Sequence, residues 1–319
     1  MGTYLVHRVF FLIISFVAAL LVIFILLRLL PGDPANAMLP ADASPEQIVA
    51  ARAKVGSDLP LLRQMAAWFT GVLRGDFGES YISGIPTASE VWKRLGVTIP
   101  LTLISFVLSG ILASVIGFIA AYKNGRWYAA ALTAFTQIGI AIPIFWVGII
   151  FVRIFALRLH ILPSGGWPAG GWGNMGAALR ALVLPAATIV FMMSATLARY
   201  IRASVLNVLD SGYIRNSRSL GFSQVSSFVL HGIRNAYVPV ISILGIELSS
   251  TLLGAVVVEN IFSLPGLGSM LTKAIAQHDY PSIQGVLLTT TFLVLVIGFI
   301  ADVIQRILDP RLRPPRRGG

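Results

Sequence analysis

This chain of 319 residues contains no cysteine and few charged residues. The missing cysteine excludes disulfide bonds, cysteine-ligated metal sites and thiol redox catalysis. Charged residues make up 12% of the chain, which is about half their share in soluble domains. Hydrophobic residues make up 56%. The composition therefore predicts an integral membrane protein.

Nucleotide-binding and catalytic motifs are also missing. No Gly-Lys dipeptide occurs, so the chain has no phosphate-binding loop of the G-x-x-x-x-G-K-[ST] type. The four histidines, His7, His160, His231 and His278, show no metal-ligand spacing such as H-E-x-x-H. No Ser/His or paired-Asp arrangement at matching membrane depth supports an intramembrane hydrolase. We expect no catalytic residue and no metal site, so any pumping must draw energy from a partner or an ion gradient.

Six long apolar runs predict an all-α membrane protein with six transmembrane helices. About 20 apolar residues suffice for a helix to cross a hydrocarbon core of about 30 Å. The runs are continuous rather than alternating, which excludes a membrane β-barrel. A charged residue, Glu247, interrupts one run. The predicted spans are residues 9–27, 95–122, 127–152, 181–198, 235–258 and 280–301.

The distribution of positive charge predicts the topology. A net charge of +11 can indicate nucleic-acid binding, but here the arginines cluster in alternate connections, as the positive-inside rule requires. Six crossings then place both termini in the cytoplasm, and we expect no nucleic-acid partner. The first apolar run is longer than the ~7–15 residues of a signal peptide, so we expect it to remain as a helix.

Residues 31–94 are predicted to form a small external subdomain between the first two spans. Pro31 and Pro34 are expected to stop the first helix at the outer surface. Ser44 followed by Pro45 has the pattern of a helix N-terminus. The glycine-rich stretch that follows predicts irregular structure.

The polar connection between the fourth and fifth spans, residues 199–235, carries five arginines and is called the basic segment below. Gly221 fits a helix end that needs a positive φ, and Ser223 fits the N-cap of a second short helix. Two short helices joined at Gly221 can dock into a soluble partner. A solvated loop whose arginines contact anionic lipid headgroups remains an alternative.

Glu247 lies in the middle of the fifth span, where a carboxylate must face a bundle interior or water. One interpretation is a pathway contact for a cationic group of the substrate. The other is a protonated or hydrogen-bonded carboxyl at a subunit interface.

Residues 212–240, GYIRNSRSLGFSQVSSFVLHGIRNAYVPV, resemble the coupling ("EAA") loop of ABC importer permeases, in the dipeptide/oligopeptide/nickel branch. The general pattern is E-A-A-x-x-x-G. Arg215, Asn216 and Ser217 occupy its first three positions, and Gly221 occupies the glycine. The missing glutamate and alanines depart from the general pattern and agree better with the peptide-permease form.

Other segments resemble the same family, and the likeness extends over nearly the whole chain. They are LLPGDP (29–34), GDFGES (75–80), LPSGG (162–166), VVVENIFSLPGLGSMLTKAIAQHDYPSIQG (256–285) and LDPRLR (308–313).

The resemblance implies a type I ABC importer permease fold, with a cytoplasmic coupling helix and an external subdomain between helices 1 and 2. Its domains would be residues 1–94, the importer transmembrane domain at 95–307 with a coupling loop at about 199–235, and a basic cytoplasmic tail at 308–319. The chain would be a multi-pass protein of the cytoplasmic membrane and would form half of a pathway for peptides. Nickel chelates or other small solutes remain alternatives within the family, and a gradient-driven carrier is an alternative outside it.

The resemblance also implies partners and site residues. A second homologous permease (as a heterodimer), two ATP-binding subunits holding ATP and Mg, an extracytoplasmic solute-binding protein and membrane lipid would be the partners. No cofactor would be bound by this chain. The implied contacts to the ATPase are Arg215, Asn216, Ser217, Arg218, Leu220, Gly221, Phe222 and Ser223. The implied gate or pathway residues are Glu247, Glu259, Ser263, Pro265, Gly266 and Gly268.

Overall fold

A computed structural model describes residues 2–29, 35, 38–39 and 42–308 of the chain. It is mostly helical, as predicted. Short π-helical turns, Val152–Arg158 and Phe228–Gly232, follow α6 and α9. The α-helices are α1 (Gly2–Leu29), α2 (Pro45–Val55), α3 (Leu61–Leu73), α4 (Thr87–Tyr122), α5 (Trp127–Ala141), α6 (Ile144–Phe151), α7 (Met175–Leu209), α8 (Gly212–Ser219), α9 (Gln224–Ser227), α10 (Ile233–Ile261), α11 (Leu267–Ala276) and α12 (Tyr280–Leu308).

Five of the described helices are long and apolar enough to cross a membrane. They are α1, α4, α7, α12 and the run Gln224–Ile261, which contains α9 and α10. Each contains one predicted span, and most extend well beyond it. Hydropathy marks the part of a helix that fits the hydrocarbon core, whereas the hydrogen-bonded helix continues into the headgroup region.

The third predicted span, 127–152, is not one straight helix. Helix α5 and the following helix are bent by 104° at the break between them. Pro143 disfavours helical backbone at the residue before it, and Ile142 is extended with φ −85° and ψ 128°. The count is therefore five spanning helices in the described residues, or six if this bent pair is one span.

The chain divides into two compact units. The first contains α1–α3, the start of α4, α11 and most of α12. In its core, Ile23 and Leu27 of α1 pack with Tyr280 and Ile283 of α12, and Trp68 of α3 lies against them. Trp68, which lies in the stretch predicted to be an external subdomain, thus shares a core with α1 and α12.

Helix α2 begins as predicted. Ser44 forms a capping box: its backbone N–H donates to Gln47 Oε1 at 2.8 Å, and its hydroxyl accepts from Gln47 N at 3.3 Å. Helix α3 was not predicted, because Gly71 and the glycines beyond it indicated irregular structure. Residues 30–34, which were expected to stop α1, lie outside the described part of the chain.

In the second unit, α7 is the interior helix. It contacts α5, α6 and α10. In its apolar window 67% of the residues are buried, against at most 28% in the other four spanning helices. The core runs along Leu197, Ile201 and Val205 of α7 and continues to Ile214 and Phe228 in the basic segment. A continuous apolar core therefore joins the basic segment to the membrane helices.

The predicted domain boundaries stay predictions. The one after residue 94 falls inside α4, which contributes to both units. The one after residue 307 falls at the end of α12, and residues 309–319 of the predicted tail lie outside the described part of the chain.

Candidate functional site

The basic segment folds into a sharp turn that carries one short helix. Helix α7 ends at Leu209, and α8 begins at Gly212 after Ser211 in extended backbone. Gly221 then has φ 95°, and a Cβ added there would meet nothing within 4 Å. The glycine is therefore needed for its backbone angle rather than for space. The hydroxyl of Ser223 accepts from Ser226 N at 3.1 Å, so the predicted N-cap is confirmed.

The predicted pair of short helices is wrong in one respect. The helix that Ser223 caps does not end near Arg234 but runs continuously from Gln224 to Ile261. The polar residues His231 and Arg234 end the hydrophobic run, but they do not interrupt helical hydrogen bonding. Only α8 is a separate short helix in the basic segment.

Helix α8 is fixed to its neighbours by both apolar and polar contacts. Ile214 is fully buried in the core of the second unit. The Ser217 hydroxyl donates to the Ser227 hydroxyl at 2.9 Å, and both side chains are buried. Asn235 Nδ2 donates to the Tyr213 hydroxyl at 3.3 Å. Helix α8 is therefore held to the long helices on either side of it.

The opposite face of this turn is open. Of the eight residues predicted to contact an ATPase, seven are exposed, and only Ser217 points inward. Leu220 is 73% exposed and Phe222 is 45% exposed. Arg215 and Arg218 are exposed beside them, and Arg215 Nη2 donates to the carbonyl oxygen of Asp210 at 2.8 Å. The turn presents two apolar side chains flanked by two guanidinium groups.

On the first unit, two of the family-like segments meet at one buried carboxylate. Asp279, from the 256–285 block, is 4% exposed. It accepts hydrogen bonds from the Ser80 hydroxyl at 2.6 Å, the Ser282 hydroxyl at 2.7 Å and Tyr81 N at 3.0 Å. The Ser80 hydroxyl in turn accepts from Ser83 N at 3.1 Å. Asp279 thereby joins the end of the GDFGES segment to the start of α12.

On the second unit, the LPSGG segment meets the beginning of the same block. Gly166 N donates to the carbonyl oxygen of Phe262 at 2.8 Å. A Cβ added at Gly165 would lie 2.5 Å from that oxygen, which no side chain can tolerate without a backbone shift. Gly165 is therefore needed for close backbone approach, and Gly166, with φ 88°, for its backbone angle.

The predicted gate residues do not form a single cluster. Glu259 is fully buried near the end of α10, and Glu247 is half-buried on the same helix. Twelve residues of helix separate them, which is about 18 Å. Ser263 lies in a turn with φ 50°, followed by Pro265. Gly266, the N-cap of α11, and Gly268, in its first turn, are both buried.

Sequence reasoning missed two sets of polar residues. Asp279 and Ser80 stood in the quoted motifs, but nothing in the sequence indicated that they bond to each other across 199 residues. Buried hydroxyl residues of α4 were also missed, because serine and threonine do not interrupt a hydropathy window. Their spacing along α4 was the available signal.

Comparison with known proteins identifies the family. Residues 1–103 match the N-terminal model for membrane components of binding-protein-dependent transport systems, and residues 113–314 match the model for the inner membrane component. A putative peptide transport system permease protein of Brucella abortus (strain 2308) is 36% identical over 290 residues, covering 91% of this chain and 92% of that protein. The glutathione transport system permease protein GsiC of Escherichia coli (strain K12) is 32% identical over 313 residues, covering 98% of this chain and 99% of that protein.

Solved structures share the fold. A chain of the MetNI methionine ABC transporter, in an inward-facing form, matches with a TM-score of 0.57 and 17% identity, covering 69% of this chain and 96% of that one. An amino acid ABC transporter with histidines matches with a TM-score of 0.54 and 16% identity, covering 69% and 94%. The chain therefore belongs to the binding-protein-dependent transport system inner membrane components, and it is an ABC importer permease, a transport subunit rather than an enzyme.

Proposed function

We propose that this chain forms half of the translocation pathway of an ATP-driven peptide importer and that separate subunits hydrolyse the ATP. The main support for this proposal is similarity to known permeases: proteins that are 32–36% identical over more than nine-tenths of the chain are named peptide or glutathione permeases. The sequence has no phosphate-binding loop motif, which agrees with a chain that depends on ATP hydrolysis by partner subunits.

The proposed topology has six crossings in the cytoplasmic membrane and cytoplasmic termini, with the bent pair α5–α6 counted as one span. This topology places three groups of basic residues on the cytoplasmic side: Lys123 and Arg126 between α4 and α5, the arginines of the basic segment, and Arg306. Positive charge favours the cytoplasmic face, which supports this orientation. The stretch 31–94 and the LPSGG segment face outward in this arrangement.

We propose that the exposed face of the turn around α8 receives the ATPase subunit. Leu220 and Phe222 supply apolar area that a cleft can enclose, and Arg215 and Arg218 supply charges that orient the contact. The buried side chains of Ile214 and Ser217 hold α8 against the long helices. A displacement of the ATPase can therefore move α7 and α10 instead of deforming a loose loop.

The outer end of the pathway is assigned to the 256–285 block. Ser263, Pro265, Gly266 and Gly268 form a compact turn between α10 and α11, and Glu259 lies just before it. A short rigid turn that ends in glycines suits an external gate, because it places backbone rather than long side chains at a constriction.

The proposed assembly contains a second, homologous permease, two ATP-binding subunits and an extracytoplasmic solute-binding protein. Exposed apolar side chains recur along α4, α5 and α6, for example Leu103, Phe135 and Trp146. Such surfaces contact either lipid or a neighbouring membrane subunit. A half-buried Glu247 suits a position that faces the pathway between two permeases.

Reconstitution tests the proposal. The complete complex in proteoliposomes should take up a labelled peptide only with ATP, the ATPase subunits and the binding protein. Proton and sodium uncouplers should leave that uptake unchanged. Uptake by this chain alone, or uptake abolished by an uncoupler in the presence of ATP, would refute the proposal.

A further inference from the structure

Three hydroxyl residues of α4, Thr102, Ser105 and Ser109, lie along one side of the helix and are called the hydroxyl stripe. At 100° per residue they occupy an arc of about 60°, and they extend over about 10 Å of the helix axis. Their exposed fractions are 3%, 0% and 0%. The stripe is therefore enclosed within the protein in this conformation.

None of the three hydroxyls has a hydrogen-bond partner within the described residues. Several other hydroxyls in the long helices of the same unit bond to the carbonyl oxygen one turn earlier. In α4 itself, Ser114 Oγ donates to Gly110 O at 2.7 Å. Thr188 and Thr251 do the same in α7 and α10, at 2.8 and 2.7 Å. The stripe thus departs from the usual way in which a membrane helix satisfies a hydroxyl.

Leaving these groups unpaired is costly in this conformation. A buried hydroxyl without a partner costs about 1–3 kcal/mol, and alanine at the same position would avoid that cost. The next residue of the same face, Ala113, is fully buried in the apolar core and shows that the helix accepts alanine there. Three unpaired hydroxyls on successive turns therefore lack, among the described residues, the partners that would offset this cost.

We infer, resting on the proposed function, that the hydroxyl stripe lines the translocation pathway in the alternate conformation of the transport cycle and bonds there to the peptide backbone. A hydroxyl both donates and accepts, so it can pair with either the N–H or the C=O of an amide. It carries no charge and does not select among side chains. A length of about 10 Å corresponds to about three residues of extended peptide.

Cysteine accessibility tests this inference, because the natural chain has no cysteine. Thr102→Cys, Ser105→Cys and Ser109→Cys are placed singly in the complete complex and treated with a charged methanethiosulfonate reagent. Ala113→Cys is the matched control for a buried apolar position on the same face. Val107→Cys, which is 55% exposed on the opposite side of α4, is the control for a lipid-facing position.

The three stripe cysteines should react at least about tenfold faster in one nucleotide state than in another, because the labelling rate follows the fraction of molecules that expose the thiol. Both controls should stay unreactive in every state. If ATP-driven peptide uptake is intact and the stripe cysteines never react faster than Ala113→Cys, the inference is wrong and the proposed function stands. If the parent complex shows no ATP-driven uptake, the proposed function itself fails.

Substitutions at Thr102 give a second measurement that does not depend on thiols. Thr102→Val keeps the shape and removes the hydroxyl, whereas Thr102→Ser keeps the hydroxyl. The valine variant should raise the KM for peptide about fivefold, the factor for one lost neutral hydrogen bond, and the serine variant should keep it. An unchanged KM in the valine variant would contradict a contact between this hydroxyl and the peptide.

Discussion

The hydrogen bond between Ser80 and Asp279 should prove to be one of the strongest polar links in the first unit. It joins residues 199 positions apart, at 2.6 Å, with both side chains buried. We predict that Ser80→Ala and Asp279→Ala each destabilise the protein and that their effects are coupled. The coupling energy isolates this bond from the others that each residue makes.

The magnitude follows from the charge on the acceptor. A hydrogen bond to an ionised group contributes about 1.5–3 kcal/mol, compared with about 1 kcal/mol for a neutral pair. Ser80→Ala should therefore cost about 1.5–3 kcal/mol. Asp279→Ala should cost more, because it also removes the acceptor of Ser282 and Tyr81 N. The coupling energy should be about 1.5–3 kcal/mol.

Reversible unfolding in mixed detergent micelles of the parent protein, the two single variants and the double variant measures this cycle. Ser83→Ala is the matched control, because its exposed hydroxyl accepts only a long contact of 3.4 Å from Ile85 N. It should change stability by less than about 0.5 kcal/mol, as is usual for surface substitutions. A coupling energy between Ser80 and Asp279 below about 0.5 kcal/mol, the usual limit of additivity, would show that this hydrogen bond contributes little to stability and would contradict the prediction.

Three further predictions concern the turn, the external loop and the intramembrane carboxylate. Gly221→Val should lower the free energy of unfolding by about 1–2 kcal/mol, because valine is strained in left-handed backbone, and it should impair ATP-driven uptake but not membrane insertion. The control Gly212→Val, where φ is negative and space is open, should transport normally. Normal transport by the Gly221 variant would contradict the helix-end assignment. Gly165→Ala should lower the unfolding temperature in detergent, because the added Cβ would lie 2.5 Å from a backbone carbonyl oxygen. The control Gly173→Ala, at a position with open space, should leave the unfolding temperature unchanged. Equal unfolding temperatures for the two variants would contradict the close approach. Glu247→Gln should reduce uptake of cationic peptides more than of neutral ones, and a loss confined to complex stability would favour a subunit interface instead.

The long helices could be predicted from sequence because the membrane imposes a simple length requirement. A run of about 20 apolar residues has few alternatives to a spanning helix. The ends of the helices could not be predicted in the same way, since hydrogen bonding continues past the apolar run. The break before Pro143 illustrates the limit: proline signals a possible bend, but α4, α7 and α10 contain Pro100, Pro185 and Pro239 without interruption. Whether a proline breaks a helix depends on the packing around it.

Local backbone chemistry was predictable in the basic segment. The positive φ of Gly221 and the cap at Ser223 depend on neighbouring residues alone, so the sequence indicates them directly. The continuity of α9 with α10 was not predictable, because polar residues such as His231 and Arg234 at the end of an apolar run also occur where a helix ends. The inward orientation of Ser217 depends on the position of Ser227 and therefore required the structure.

Long-range polar pairing was the least predictable feature. The sequence contains Ser80 and Asp279 in recognisable segments, but one sequence holds no signal for which distant residues meet. The hydroxyl stripe was also missed, because serine and threonine do not interrupt the hydropathy of an apolar helix. Their significance appears only when burial is combined with the absence of partners among the described residues.

We propose that the exposed turn around α8 receives force from a cytoplasmic ATPase. A single cysteine at Leu220, which is 73% exposed, tests it most directly in a chain that has no other cysteine. A thiol-directed crosslinker should join this cysteine to the ATP-binding subunit, with a yield that changes when ATP is added. Rapid modification of the same cysteine by a membrane-impermeant maleimide in intact cells would place the turn outside the cell and contradict its contact with a cytoplasmic ATPase.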